Sequence, residues 1–240
     1  MVTKSTNDFK SLDFTAGEVI LIDKPPYWSS YKVVHKVKKA IRAKKVGHAG
    51  TLDPVATGLL ILCTGKKTKE IYKYQDLRKT YTGVITLGKS SPSMDMETKI
   101  SEHEIPAELD EKIIYSVRDQ FLGEIEQTPP MFSALKVNGQ RLYQLARKDK
   151  TVERKPRRVM IEEFKITNLE IPHLHFEITC SKGTYIRVIA NDFGEKLGCG
   201  ALLSSLRRIK IGDYSVEKAL RVDEFLVRAK SANKLSINQC

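Results

Sequence analysis

Two short apolar runs constrain this chain more than any other feature: VILI at positions 19–22 and LLILC at positions 59–63. The first is stopped by Pro25 and Pro26, so it reads as a buried strand ending in a loop. The second follows a glycine-rich loop, GHAGTLDPVATG, and also reads as a buried strand. Between them, Ser29 or Ser30 can cap a helix, because Val33, Val34, Val37, Ala40 and Ile41 recur at helical spacing. That stripe faces a core, and the opposite face carries Lys32, Lys36, Lys38, Lys39 and Arg42. Strand composition returns at Thr80–Gly88 and Leu174–Cys180. Helical spacing returns at Leu109, Ile113, Ile114, Val117 and Phe121. It returns again at Ile186, Ile189, Ala190, Phe193 and Leu197, with Gly198 placed to end that helix. Asn138-Gly139 carries a hairpin-turn signal. Strands and helices mix without regular βαβ alternation or internal repeat, so the expected class is α+β around a largely antiparallel sheet.

A chain of 240 residues suits one large domain or two small ones. Its 41% hydrophobic and 29% charged residues support a packed core rather than disorder. No apolar stretch approaches the ~20 residues that span a bilayer. The opening MVTKSTNDFKSLDFTAGE lacks the apolar centre of a secretory signal and reads as a polar tail over residues 1–16. A cytoplasmic location is therefore expected. Cys63, Cys180, Cys199 and Cys240 form no CxxC pair, and three sit in or beside apolar segments. Buried reduced thiols are expected rather than a zinc site or a disulfide framework. His173 and His175 would share one face of a strand, but without a third ligand nearby they read as surface histidines rather than a metal pair.

The formal net charge is +12, which favours a polyanionic partner, nucleic acid before an acidic membrane surface. The charge is also segregated. Lys24 to Leu52 holds eight Lys/Arg and no acid, and Lys136 to Arg158 holds nine against Asp149 and Glu153. Asp95 to Glu126 holds ten acids against Lys99, Lys112 and Arg118. A molecule that docks on a phosphate backbone would show such a division into basic and acidic faces.

The chemistry is expected in Gly47–Gly58, whose three glycines let the backbone turn sharply and a ligand approach closely. The segment lacks the Gly-Lys-Ser/Thr ending of a phosphate-binding P-loop and a second carboxylate for paired acid–base work. It offers one carboxylate, Asp53, stiffened by Pro54 and flanked by basic segments. Taken alone, Asp-Pro is more often a turn than a catalytic group.

GHAGTLDPVATG closely resembles the catalytic-aspartate motif of the TruB family of tRNA pseudouridine synthases. The likeness continues in family order through LIDKP (21–25), KTY (79–81), PMFSALK (130–136), CSKGTYIR (180–187) and LRR (206–208). It covers nearly the whole chain, from about Gly17 to Val216. The resemblance implies the pseudouridine synthase fold, a largely antiparallel mixed β-sheet flanked by helices with an active-site cleft. A catalytic domain over residues 17–230 and a C-terminal tail at 231–240 follow. The implied activity is isomerisation of uridine to pseudouridine at position 55 in the T arm of tRNA, by base flipping, with no cofactor and no metal. A monomer independent of membranes is expected.

Roles follow from the matched positions. The resemblance makes Asp53 the catalytic carboxylate, as nucleophile or as base, with Arg187 its partner. Tyr81 would stack on the flipped uracil and Leu206 would pack against its other side. His48 would enter the RNA, and Tyr185 belongs with the substrate-binding residues. Lys24 would support the active-site loop or meet the RNA backbone. Without the resemblance, Tyr81 and Leu206 read as core, His48 as a loop residue and Arg187 as a surface or ion-pair residue.

Three departures stand out. Tyr27 occupies a position where the family usually has Gly, so a glycine-only backbone angle is not expected there. Pro92 stands where an acid is expected, which bears on a supporting hydrogen bond near the site and not on Asp53. Many relatives extend into a C-terminal PUA RNA-binding domain. None is expected here, so contact with the acceptor end of tRNA should be weaker or made by other residues.

Overall fold

The computed structural model describes residues 1–137 and 139–237, without the side chains of 233–237. The chain divides into two compact units, Met1–Tyr81 with Leu206–Cys240, and Thr82–Ser205. The first unit opens with β1 (Val19–Lys24), α1 (Ser30–Ala40), β2 (Val46–His48), β3 (Thr57–Thr64) and α2 (Ile71–Gln75). Strand β4 (Lys79–Leu87) leads into the second unit. There follow β5 (Lys89–Ser90), β6 (Ser101–Glu102), α3 (Glu111–Asp119), β7 (Gly123–Gln127), β8 (Lys136–Val137), β9 (Gln140–Arg141) and α4 (Leu142–Ala146). Then come β10 (Arg157–Glu170), β11 (His173–Cys180) and α5 (Ile186–Lys196). Strand β12 (Ala201–Ile211) returns to the first unit, which ends with β13 (Tyr214–Ser215), β14 (Leu220–Arg221) and α6 (Val222–Ile237).

In the first unit the strand order is β14-β1-β3-β12, with β2 on β3 and β13 on β12. In the second it is β12-β4-β11-β10-β7. Pairing is mixed: β1–β14 and β3–β12 are parallel, whereas β1–β3, β10–β11 and β7–β10 are antiparallel. With six helices among the described residues, the class is α+β, as the sequence predicts.

The two apolar runs lie side by side, β1 antiparallel to β3, with Val19 opposite Cys63 and Lys24 opposite Gly58. Alternate residues of a strand point to opposite faces. Ile20, Ile22, Leu60 and Leu62 pack with Val33 and Phe225 on one face, and Leu21, Leu59 and Ile61 with Ile211 on the other. Both faces are covered, which is why these strands are continuously apolar instead of alternating. Each such side chain contributes about 1.5–3 kcal/mol by leaving water. Helix α1 starts at the expected cap: the Ser29 hydroxyl accepts from the Lys32 amide, and Val33, Val34 and Val37 are buried. In the second unit, Phe121, Phe164, Phe176 and Phe193 interlock, with ring centroids 5.8–6.4 Å apart.

Two features differ from the sequence expectation. Residues 1–16 are not a loose tail: Val2 bridges to Ile20 and is fully buried, and Phe9 lies edge-on to Phe225 at 5.5 Å. Two apolar residues in a polar stretch carry no periodicity, yet each finds a hydrophobic slot. Helix α6 continues past Lys230 to Ile237, through a segment without Gly or Pro to stop it. Strands β8 and β9 pair with Val137 opposite Gln140, and Gly139 has φ +80°; the Asn138 half of the turn signal lies outside the described residues. Cys63, Cys180 and Cys199 are buried and unbridged, and Cys240 lies outside the described residues. Burial pushes the Cys63 thiol up to about 11. No helix among the described residues is long and apolar enough to cross a membrane.

Candidate active site

Lys24, His48, Asp53, Tyr81 and Leu206 belong to the first unit, and Tyr185 and Arg187 to the second. In the first, everything turns on how the Gly50–Pro54 backbone is held. Gly58 lies opposite Lys24 of β1 and, on the other edge of β3, beside Arg208 of β12. Its φ is +104°, and a Cβ there would stand 2.3 Å from the Arg208 carbonyl oxygen, so only glycine lets β3 and β12 meet. Two cations therefore flank the exit of the loop, and both side chains are inside: Lys24 is 0% and Arg208 1% exposed.

Neither cation has a carboxylate as its hydrogen-bond acceptor in this cage. Lys24 Nζ donates to the carbonyls of Pro25 (2.9 Å), Trp28 (2.7 Å) and Pro54 (3.1 Å). Arg208 donates from Nε to Leu59 (2.8 Å), from Nη2 to Gly50 (3.1 Å) and from Nη1 to Thr51 (3.5 Å). Ser30, buried at the start of α1, closes the cage: its hydroxyl accepts from the Leu52 amide at 2.9 Å and donates to the Leu52 carbonyl at 3.1 Å. The Asp53 carbonyl accepts from the Ala56 amide, and the Pro54 carbonyl also accepts from the Tyr27 amide. All five carbonyls from Gly50 to Pro54 are thus engaged. The backbone under Asp53 is held at every one of these carbonyls, and the residue itself is half-buried.

The electrostatics follow from this burial. Desolvation drops the Lys24 ammonium to about 8, opposed by the Asp53 carboxylate and reinforced by Arg208. His48 ends β2 and is held below its ordinary range by burial, against the backbone hydrogen bond of Gly50. The Lys24 amine points inward, onto the three loop carbonyls. Tyr81 on β4 is buried, and Leu206 on β12 is half-buried. Arg207, between Leu206 and Arg208, points away from the cage and grips Asp23 with two bonds of 2.7 and 3.1 Å. That pair borders a cleft of about 530 Å3 lined also by Lys24, Trp28, Thr57 and Leu226; Asp53 does not line it.

Tyr27 overturns the expectation drawn from its side chain. It has φ +61°, a left-handed angle, and the residue is 81% exposed. The loop keeps the glycine-like backbone because the Tyr27 amide must reach the Pro54 carbonyl, at 2.8 Å.

In the second unit the guanidinium of Arg187 is 3% exposed at the first turn of α5. Its Nη2 donates to the Phe132 carbonyl at 2.6 Å, its Nη1 to the Ser93 carbonyl at 3.3 Å, and Asp95 Oδ2 lies 3.9 Å from Nη1. The PMFSALK segment and the Ser-Pro-Ser segment thus act as its holders. Pro92 sits exposed in a turn between buried Ser91 and Ser93, and the Ser93 carbonyl accepts from Arg187. Tyr185 precedes α5. Its backbone makes two hydrogen bonds with buried Gln127, and its ring lies 4.5 Å from the Arg157 guanidinium and 5.7 Å from that of Arg187. His173 pairs with Thr86 at 3.1 Å, and no group of three or more His, Cys, Asp or Glu residues among the described residues is arranged to hold a metal.

Sequence reasoning gave no site role to Ser30, Asp95, Gln127, Arg157 or Arg208, although it offered Ser30 as a helix cap and quoted Arg208 in the LRR segment. The usable signal was Arg208 itself, a cation on the strand ALLSSLRRIKI in register with the loop's last glycine.

The sequence profile of the TruB family pseudouridylate synthase N-terminal domain matches residues 38–186, and that of the tRNA pseudouridylate synthase B C-terminal domain matches residues 187–235. A tRNA pseudouridine synthase B of Flavobacterium johnsoniae is 46% identical over 89% of this chain and 96% of its own. That of Chloroherpeton thalassium is 48% identical over 88% and 89%. Among solved structures, a chain of a Cbf5-Nop10-Gar1 complex superposes with a TM-score of 0.67 at 26% identity, over 90% of this chain. An archaeal box H/ACA sRNP Nop10-Cbf5 complex gives 0.68 at 22% identity over 96% of this chain, a likeness of fold alone. The chain spans 60% of each of those two structures' matched chains. Profiles that together run from residue 38 to 235, and relatives near half identity along most of their length, establish that the chain belongs to the TruB family of pseudouridylate synthases.

Proposed function

We propose that the protein isomerises uridine to pseudouridine in the T loop of tRNA, at position 55, as a cytoplasmic monomer that consumes no cofactor. The observation that carries this reading is a TruB-family aspartate, Asp53, on a backbone fixed at five successive carbonyls. Fixing a reactive group before substrate arrives removes an ordering cost from the reaction.

The bond from uracil N1 to ribose C1′ breaks, the base reorients, and C5 bonds to C1′. The proton leaving C5 goes to solvent and N1 gains one, so the change is balanced without an external reagent. The target base must leave its stack, at a cost of a few kcal/mol. Phosphate contacts with the basic segments offset that cost. Asp53 is assigned the reacting carboxylate, as nucleophile or base, Arg187 its partner, Tyr81 the face that stacks on uracil and Leu206 the packing on its other side. His48 enters the RNA and holds the flipped conformation. Tyr185 contacts substrate, and Lys24 serves the loop.

The test is tritium release from a T-arm transcript labelled at uracil C5. Wild type should release tritium, and Asp53→Ala should lose more than about a thousandfold in rate. Release that survives the substitution rejects the role of Asp53. A wild type that releases none rejects the activity on this substrate.

A further inference from the structure

The outward face of α1 presents rings as well as charge. Tyr31 is 74% exposed, and its ring stacks on that of exposed His35 one turn later, with centroids 6.3 Å apart and planes at 29°. Tyr27 throws its ring into solvent from the left-handed loop just ahead of the helix. The Lys32 ammonium covers the Trp28 ring at 4.2 Å. Exposed Lys36, Lys38 and Lys39 continue the surface, and no acid interrupts the sequence from Lys24 to Leu52. Single exposed aromatics are ordinary. Three exposed rings within nine residues, set in a basic stretch that no acid interrupts, are a different matter.

We infer that this face is a stacking platform for unpaired ribonucleotides, in which Tyr31 and His35, with Tyr27 beside them, take the faces of bases while the lysines take phosphates. The inference rests on the RNA-modifying reading above and adds to it a contact with nucleotides other than the one that is isomerised. Charge complementarity selects the occupant: a protein partner would have to be strongly acidic, whereas RNA supplies both the phosphates and the flat π-faces that such rings bind. A paired base offers its face only to its neighbours, so the platform requires single-stranded nucleotides.

The chain has a single tryptophan, Trp28, half-buried beneath Lys32 next to this face, and its fluorescence reports binding nearby. A short oligoadenylate should quench it, and an RNA duplex with the same number of phosphates should do so far less. The double variant Tyr31→Ala/His35→Ala changes exposed helical positions to a good helix former, so the fold persists. Its oligoadenylate affinity should fall about 5- to 150-fold for each stacked base lost, with the salt dependence unchanged. Lys36→Ala/Lys39→Ala should instead flatten that dependence, by about 0.7 in logarithmic slope for each phosphate contact removed. Equal quenching by duplex, or an unchanged affinity in the double aromatic variant, overturns the platform. Wild type that passes this titration but releases no tritium rejects the activity and leaves the platform standing. Release with a failed titration rejects the platform alone.

Discussion

In the first unit the residue of interest is an anion, and what is held is the backbone beneath it: Lys24, Ser30 and Arg208 hold carbonyls of the loop that carries Asp53. In the second it is a cation, and what is held is the side chain itself: Phe132, Ser93 and Asp95 surround the guanidinium of Arg187. The difference has a direct energetic consequence. Deleting the Asp53 carboxylate leaves the loop's hydrogen bonds intact, whereas deleting Arg187 strands oxygens that were buried on its account. The loss at Arg187 should therefore be the larger of the two.

The largest expected effect tests that contrast. Arg187→Met should cost about 3–5 kcal/mol, the usual result of removing one member of a buried charged set. Asp53→Asn keeps the five engaged carbonyls of its loop in place and should cost less than that. Urea denaturation of the two variants beside wild type measures both. Equal losses would mean that Asp53 also holds its surroundings, and the comparison would fail.

Next in size is Arg208→Met, which keeps the bulk but removes donors to Gly50, Thr51 and Leu59. Buried carbonyls left without partners should cost about 2–4 kcal/mol. Loop disorder should lower kcat as well, since the carboxylate is no longer preorganised. Arg208→Lys should recover only part of each, because an ammonium lacks the planar fork that reaches three carbonyls. Full rescue by lysine would show that charge, and not geometry, is what the loop needs.

These same residues mark how far the sequence could be read. The runs at 19–22 and 59–63, the cap at Ser29 and the helix after it were legible because local periodicity and capping determine them. The motif residues Asp53 and Arg187 were legible through resemblance alone. Arg208 and Ser30 were not, because their burial depends on β12 and α1 meeting a loop that is remote or irregular in sequence. A cation on a strand reads as surface until the glycine opposite it is known to admit a backbone. Val2 and Phe9 were hidden for the complementary reason, being isolated apolar residues whose partners lie far along the chain.

Lys24 sharpens the comparison through pH. Its folded value is about 8, below the ordinary lysine value of about 10.4. Below pH 8 both folded and unfolded chains carry the proton, and the cost of burying the charge is felt in full. Between about 8 and 10.4 the unfolded chain binds more protons than the folded one, so stability rises with pH. The gain is complete above that window. The same deprotonation removes one of three N–H donors, so turnover should decline as pH passes 8 while stability improves. Lys24→Met should lose both pH dependences, so that they stand out in the difference between wild type and variant. A wild type whose stability falls through this window relative to that variant would exclude a depressed lysine.

The smallest effect concerns Tyr27, whose amide helps to hold Pro54 although its ring touches nothing in the cage. If the first unit works through backbone, the side chain here contributes strain and no support. A non-glycine residue in the left-handed region costs about 1–2 kcal/mol. Tyr27→Gly removes that strain but frees the unfolded chain, which costs about 0.5–1 kcal/mol in return. The balance favours the variant by about 0.5–1 kcal/mol, or roughly a 2 °C rise in Tm for a chain of this size. Tyr27→Ala keeps the strain, because alanine also carries a Cβ, and should show no such rise. A lower Tm for the glycine variant would mean that the ring supports the fold after all, and that the loop is held by more than its backbone.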